Sequence, residues 1–169
     1  MLRYGLFTSL FLLSALAPAA SHEKLAPGSF VITYQTQTYQ GKYAPRNVVA
    51  IWLVDAQGQY VKDLAVYGNR FTTKLARWRK DSGKAKPDAT TGATRKQHDE
   101  LSVVWDGTDA EGKALPDGEY RIRIEYTETN RPGPAFQVLV HKGKDTGTRE
   151  VKGDEHFTHV NVRCVGTDG

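Results

Sequence analysis

The sequence predicts an all-β protein, an antiparallel two-sheet sandwich with one short helix and a long basic loop. Several short segments alternate apolar and polar residues with a period of two, clusters of Gly, Pro and Asp separate them, and one stretch has helical spacing. Hydrophobic residues make up 39% of the chain and charged residues 25%, which excludes wholesale disorder. A length of 169 residues suits one domain and argues against two separate catalytic domains.

The clearest predicted strand covers residues 119–128. Apolar and aromatic side chains alternate there with charged ones, so one face of the strand is expected to be buried and the other wet. The buried face is predicted to pack in a two-sheet core, with Arg121 and Arg123 left in solvent. Its members, with the partners expected from other strands, are Tyr120, Ile122, Ile124, Tyr126, Trp52 and Val138.

Further segments of the chain are predicted to be strands. Residues 48–54 are apolar on both faces, which is typical of a central strand, and residues 56–59 form a turn into the next strand at 60–67. About seven strands separated by turns are typical of an antiparallel sandwich. The other predicted strands cover residues 30–39, 101–105, 136–141 and 156–164.

One segment departs from this pattern. Between residues 72 and 80, Leu75 and Trp78 lie three residues apart among basic side chains, which predicts a short helix with a narrow apolar face. A polar loop follows and ends at Pro87. Residues 70–96 contain nine basic residues and two acidic ones, so positive charge is concentrated on this insertion. The insertion either attracts an anionic group or serves only as a solvated loop.

The first 19 residues are predicted to be a signal peptide. Arg3 precedes an apolar stretch at residues 6–16, which is shorter than the ~20 residues that a membrane-spanning helix needs. Ala17-Pro18-Ala19 is a small-x-small cleavage site, so the mature chain is expected to begin near Ala20 and to form a single domain over residues 20–169. The alternative is an uncleaved anchor.

The predicted export and the cysteine content limit which partners and which cysteine chemistry are expected. The formal net charge of +4 would ordinarily suggest nucleic acid or an anionic surface as a partner, but a periplasmic location argues against nucleic acid. Cys164 is the only cysteine, so the chain alone can form neither an internal disulfide nor a cysteine-rich metal centre. Its thiol is expected to be half-buried and not to act as a nucleophile.

A turn-rich stretch runs from Trp105 to Tyr120. Asp106 and Asp109 are placed to form Asx turns, and the two aromatic residues are expected to pack beneath the connection. This Trp-Asp-Gly turn with its later Pro-x-Gly-x-Tyr resembles the immunoglobulin-like domain of flagellar hook-capping proteins, which implies an immunoglobulin-like sandwich. A calcium loop is the alternative, but the acidic residues lack the ligand spacing of a helical calcium loop.

Residues 88–94 carry the strongest functional signal. Their sequence, Asp-Ala-Thr-Thr-Gly-Ala-Thr, resembles the Asp-x-x-(Ser/Thr)-Gly-Ala-(Ser/Thr) pattern at which periplasmic flavin transferases attach FMN to the last threonine through a phosphoester bond. The resemblance implies that Thr94 is the attachment residue. The flanking positions that match the pattern are Asp88, Thr91, Gly92 and Ala93.

The residue types of this segment suit such a modification. A transferase must reach the hydroxyl of Thr94, and the small Gly92 and Ala93 leave room for it. Asp88 and Thr91 are expected to hydrogen-bond local backbone and to hold the loop in one shape.

Positive charge adjoins the acceptor. Arg95 and Lys96 follow Thr94 directly and favour both a phosphodiester anion and an anionic reduced flavin. The alternative is that the segment is a flexible polar turn, rich in small residues because nothing packs there.

The order of features along the chain resembles a family of predicted periplasmic proteins of unknown function that are found alongside flavin transferases and membrane redox proteins. The resemblance covers most of residues 28–165. The features that carry it are the strand at 60–64, the Leu75/Trp78 helix, the threonine segment and the Trp-Asp-Gly turn. It implies a sandwich that carries covalently attached FMN for electron transfer, provided that a flavin transferase is present.

Two functions stay open at this point. The first is a periplasmic electron carrier whose partners are a flavin transferase and a membrane redox protein, with the redox chemistry carried by the flavin and not by an independent enzyme. The second is a secreted immunoglobulin-like structural or interaction module without a cofactor. The sequence shows no Ser/His/Asp set, carboxylate pair or Gly-rich phosphate loop that would indicate catalysis.

The histidines offer a weaker signal. His156 and His159 lie three residues apart in a predicted strand and so face opposite sides, which disfavours a shared metal unless the strand bulges. His98 and His141 are isolated in the sequence. No metal site is predicted, and a haem or copper role for these four histidines stays open.

Overall fold

The computed structural model describes residues 25–68, 71–84, 87 and 90–166. The predicted signal peptide lies outside the described residues. Within them, one α-helix, α1 (Ala76–Ser82), follows a 3-10 turn at Thr72–Lys74, and none of the helices is long and apolar enough to cross a membrane. The strands are β1 (Phe30–Thr36), β2 (Val48–Asp55), β3 (Tyr60–Tyr67), β4 (Leu101–Trp105), β5 (Gly118–Thr127), β6 (Ala135–Lys142), β7 (Gly147–Val151) and β8 (Phe157–Cys164).

These strands form two four-stranded sheets in which every neighbouring pair is antiparallel. One sheet has the order β4-β1-β8-β7 and the other has the order β3-β2-β5-β6. The sheets pack face to face through one cluster of buried side chains from both. The predicted all-β sandwich with a short helix is therefore confirmed.

Apart from shifts of one residue at strand ends, the strands differ from the prediction in two places. β7 was not predicted, because four of its five residues are exposed and it lacks the alternation that marks a half-buried strand. β1 ends at Thr36 and not at the predicted residue 39. The chain leaves the sheet there, and the Tyr39 N–H donates to the Glu128 carboxylate at 3.1 Å.

The inner core contains the predicted buried face of β5. Tyr120, Ile122, Ile124 and Tyr126 all lie in the cluster between the sheets, and Val138 lies opposite Ile122 on β6. Because side chains two residues apart share one face of a strand, the alternation read from the sequence correctly assigns these residues to the core.

Trp52, in contrast, lies outside this inner core, so that part of the prediction is wrong. It belongs to a second buried cluster on the outer face of β2, together with Leu75 and Trp78 from the helical segment. The Trp52 indole N–H donates to Asp81 at 3.0 Å. β2 is apolar on both faces because one face meets the opposite sheet and the other is covered by α1.

Polar contacts fix α1 to this outer face. The buried Glu125 carboxylate accepts the Trp78 backbone N–H at 2.9 Å, at the start of the helix. Burial raises the pKa of the Glu125 carboxyl, although the N–H groups of the helix act in the opposite direction. The Trp78 indole N–H donates to Asp63 at 2.7 Å. These hydrogen bonds therefore hold the helix against β3 and β5.

Arg121 and Arg123 are half-buried and do not extend freely into solvent as predicted. Arg121 pairs with Glu119, and Arg123 lies 2.6 Å from Asp81 of α1. The charged ends of both side chains therefore find acidic partners on this face.

The Trp-Asp-Gly turn has a structural role. Trp105 is buried and stacks on Phe30, with ring centroids 5.4 Å apart. Asp106 accepts the Thr108 N–H at 3.1 Å, and Asp109 accepts the Lys113 N–H at 2.8 Å, so both aspartates close turns with their side chains. The Asp106 carboxylate also lies 3.4 Å from Lys62 Nζ of β3, so it joins the turn to the neighbouring sheet.

Candidate functional site

The acceptor segment predicted from the sequence lies in the connection between α1 and β4. Thr91 to Arg95 runs beside the end of β3 and the start of β2, and isolated bridges join Gly92 to Tyr67 and Arg95 to Asn47. Asp88 and Ala89 lie outside the described residues, so the expected role of Asp88 stays a prediction. The segment is therefore attached at two points to one sheet.

The first attachment joins Thr91 to Val66. β3 is an edge strand, so its outward backbone groups need partners from outside the sheet. The Thr91 N–H donates to the Val66 carbonyl at 2.7 Å, and the Thr91 hydroxyl accepts the Val66 N–H at 2.9 Å. Thr91 does bind backbone, but its partner lies on a strand and not in the local turn that the sequence suggested.

The second attachment joins Arg95 to Asn47, which immediately precedes β2. The Asn47 N–H donates to the Arg95 carbonyl at 3.1 Å, and the Arg95 N–H donates to the Asn47 carbonyl at 2.9 Å. The buried Asn47 side chain donates to the carbonyls of Pro45 and Gln97 at 3.1 and 3.3 Å. This end of the segment is therefore tied to two loops.

Ala93 and Thr94 lie between the two attachments, and both are exposed. Within the described part of the chain, the Thr94 hydroxyl makes no hydrogen bond. A reagent can therefore approach this oxygen without first breaking a contact, while the backbone on either side is held in place.

Gly92 permits a close approach to an aromatic ring. A side-chain carbon at this position would lie 3.1 Å from Cδ1 of Tyr67, tighter than an ordinary contact. The Arg95 guanidinium lies 5.5 Å from the centroid of the same ring and 3.4 Å from the Asp99 carboxylate. The charge of Arg95, which follows Thr94, is thus partly engaged.

Gly68 is a further site residue that the sequence motif does not include. Its φ of +129° suits glycine, and a side-chain carbon there would lie 3.0 Å from Val48 Cβ and 3.7 Å from Thr94 Oγ1. The Gly68 N–H also donates to the Gly92 carbonyl at 3.0 Å. The signal in the sequence was a lone glycine directly after a strand.

A groove of about 320 Å³ opens beside Thr94. We refer to it below as the acceptor groove. Val48 contributes to its apolar lining, and the rings of Tyr43 and Phe71 stand at its edge with centroids 6.2 Å apart and planes 29° from parallel. Tyr43 is 39% exposed and Phe71 is 45% exposed. The groove therefore offers flat aromatic surface next to an exposed hydroxyl.

Two cationic residues line the acceptor groove. They are Arg46 and Lys96, both exposed, and neither forms an ion pair within the described residues. The one acidic residue among the lining residues is Glu128, whose carboxylate is buried. The accessible charge of the groove is therefore positive, which favours an anionic ligand.

Glu128 belongs to a buried polar network behind the groove. One carboxylate oxygen accepts the N–H groups of Tyr39 and Gly41 at 3.1 and 2.9 Å, and the other lies 2.6 Å from His98 Nε2. His98 Nδ1 lies 2.7 Å from the Thr36 hydroxyl. This network ties the β1–β2 connection, which carries Tyr43 and Arg46, to the end of β5.

The other histidines do not join His98. His141 lies near the carboxylates of Glu119 and Asp145, at 3.9 and 3.6 Å, and His156 lies beside Glu155. β8 has the irregularity in pairing that a shared His156–His159 site would need, with a φ of +52° at His159. Even so, the described residues contain no group of three or more His, Cys, Asp or Glu side chains that could hold a metal ion.

The protein is thus an antiparallel β-sandwich with an exposed threonine beside a cationic, aromatic groove. A family model matches residues 22–158, and the chain belongs to that family, DUF2271, whose description is predicted periplasmic protein. The protein is accordingly periplasmic, as the signal peptide predicted. No curated protein and no solved structure matches the chain.

Proposed function

We propose that this periplasmic protein is an electron carrier that holds FMN in phosphodiester linkage to Thr94. The observation that carries the proposal is the position of this threonine, which is exposed between two backbone attachments at the end of a matching Asp-x-x-Thr-Gly-Ala-Thr segment. A flexible polar turn in which nothing packs needs neither the Thr91–Val66 pair nor the Asn47–Arg95 pair.

The chemistry of attachment defines the donor. A phosphodiester on Thr94 forms when the hydroxyl oxygen attacks an activated flavin phosphate, so the donor must contain a pyrophosphate bond. FAD meets this requirement: the new Oγ–P bond forms, the P–O–P bond to the adenylate half breaks, and AMP leaves. The hydroxyl proton passes to a base of the transferase, because the described residues place no base in hydrogen-bond contact with Thr94.

The surroundings of Thr94 suit the product. Attachment adds a phosphodiester anion, and two-electron reduction of the flavin with uptake of one proton adds a second negative charge. Arg46 and Lys96 supply positive charge in the same groove. The flavin carries the redox chemistry, while the sandwich provides attachment and electrostatics, and a membrane redox protein serves as the partner.

The test is co-expression of the full chain with a periplasmic flavin transferase. Intact mass should increase by one FMN-phosphoryl group, and a fluorescent band should persist in a denaturing gel. Thr94→Ala should abolish the label, whereas Thr94→Ser retains the hydroxyl and should keep part of it. Thr90→Ala is the matched control, because Thr90 is an exposed threonine at an unconstrained position of the pattern.

The rival function is a cofactor-free structural or interaction module. Its support is the Trp-Asp-Gly turn, whose aspartates accept backbone N–H groups of the turn and whose Trp105 packs on Phe30 in the core, as a purely structural turn would. A wild-type chain that stays unlabelled beside a transferase that labels a control substrate would contradict the electron-carrier proposal and favour this module.

A further inference from the structure

We infer that the isoalloxazine ring of the flavin attached to Thr94 binds in the acceptor groove and does not extend freely into solvent. We call this binding site of the ring the seat. This inference rests on the proposed function and extends it to a noncovalent binding site. Its residues are Tyr43, Phe71 and Val48 for the ring and Arg46 and Lys96 for the charge.

The attachment point selects the occupant. Thr94 itself lines the acceptor groove, so any group esterified to its hydroxyl begins at the wall of this cavity. A tethered group samples a nearby surface at high effective concentration, and even a weak contact there becomes populated. The volume of about 320 Å³ lies at the lower end of the range of small-molecule sites and suits a tricyclic ring better than a whole nucleotide.

The rim of the groove has the surface that such a ring requires. Within the described residues, the exposed large hydrophobic side chains are Tyr43, Phe71, Val104 and Leu139, and the two aromatic ones stand together at this groove. Exposed aromatic rings that line a cavity offer flat apolar area to a planar ligand. The buried Val48 side chain adds apolar contact to the lining.

The charges around the groove favour a reduced flavin. Arg46 and Lys96 face the cavity, Lys42 lies 5.7 Å from the Tyr43 ring centroid, and the Glu128 carboxylate is turned into its buried network. Positive charge close to the ring stabilises the anionic hydroquinone relative to the neutral oxidised form. The seat would therefore raise the reduction potential of the attached flavin.

The position of the ring can be tested on the labelled protein. Contact with a tyrosine quenches flavin emission, so folded wild-type protein should emit several-fold less than the same sample in denaturant, and iodide should reach the ring poorly. Tyr43→Ala and Phe71→Ala should each raise the folded emission and the access of iodide. Val104→Ala is the matched control, because Val104 is a comparably exposed apolar residue of β4 outside the groove.

The effect of Arg46 and Lys96 on the reduction potential of the flavin is tested separately. In equilibrium redox titrations of the labelled protein, Arg46→Gln and Lys96→Gln should lower the midpoint potential of the flavin, and the double variant should lower it further. Lys113→Gln is the control, because Lys113 is an exposed cation of the Trp-Asp-Gly turn that does not line the groove. Tyr43→Leu and Phe71→Leu, which keep apolar volume without a ring, replace either alanine variant that fails to fold.

The outcomes separate the two proposals. A labelled protein whose emission and iodide access are the same folded and unfolded, and unchanged by the Tyr43 and Phe71 variants, overturns the seat but leaves covalent FMN intact. An unlabelled wild-type chain overturns both. Intact mass reports the attachment, and emission reports the seat, so the two failures are distinguishable.

Discussion

Thr91 and Val66 satisfy each other's hydrogen-bonding groups: the Thr91 N–H donates to the Val66 carbonyl at 2.7 Å, and the Thr91 hydroxyl accepts the Val66 N–H at 2.9 Å. Val66 is buried on an edge strand whose outer side has no strand beside it, so neither another strand nor much water can replace these bonds. The threonine thus covers the edge of the sheet and fixes the segment that ends at Thr94.

Thr91→Val should destabilise the fold by about 1–3 kcal/mol, because it leaves the buried Val66 N–H without its acceptor. Thr91→Ser keeps the hydroxyl and is the matched control, with most of the stability retained. Chemical denaturation measures both. If the two variants unfold at the same denaturant concentration, the hydroxyl contributes nothing and the pair is incidental.

Gly92→Ala should destabilise the protein by about 1 kcal/mol, because the added carbon crowds the Tyr67 ring at 3.1 Å and forces it to shift. Flavin attachment at Thr94 should slow as the segment moves. Gly166→Ala is the comparison, since an added carbon there meets nothing within 4 Å. Thermal unfolding and time-resolved mass measurement provide the readouts, and equal effects at both glycines would contradict the packing argument.

Glu128→Ala should destabilise the protein by about 3 kcal/mol, because it leaves the part-buried N–H groups of Tyr39 and Gly41 without their acceptor and removes the carboxylate beside His98 Nε2. Glu128→Gln keeps one acceptor oxygen and should lose less. Denaturant titrations of the two variants rank the losses. A Gln variant as unstable as the Ala variant would show that the charge, and not the pair of backbone bonds, holds the β1–β2 connection.

The pH dependence of stability should carry a signature of Glu125. Burial raises the pKa of this carboxyl above its ordinary value of 4.5, so the folded state holds the proton more tightly than the unfolded state. Stability from this group is therefore complete below pH 4.5 and is lost as pH rises through the raised pKa. Relative to Glu125→Gln, which cannot titrate, wild-type protein should lose stability over that interval.

Unfolding of both proteins at a series of pH values measures this difference, and the comparison cancels the titration of other carboxylates. If wild-type protein instead gains stability relative to Glu125→Gln as pH rises, the hydrogen bonds from the N–H groups of α1 outweigh the effect of burial on the Glu125 carboxyl. The sign of the slope thus decides which of the two opposing effects dominates.

Alternation along single segments was enough to predict much of the fold. In β5, Ile122 and Ile124 are two residues apart and both face the core, a relation that a strand's geometry imposes without any knowledge of its neighbours. The same reasoning failed for β7, whose exposed residues carry no alternation, and for Trp52. A strand that is apolar on both faces gives no sign of which covering element each face will meet.

The candidate site, like the fold, could be predicted only in part. The pattern ending at Thr94 is contiguous, so the threonine to propose as the acceptor and the small residues that flank it could be identified from the chain alone. The acceptor groove depended on tertiary structure, since Tyr43, Phe71 and Glu128 come from three separate connections and strand ends. No local period relates such positions, because the topology of the two sheets, and not spacing along the chain, brings their side chains together.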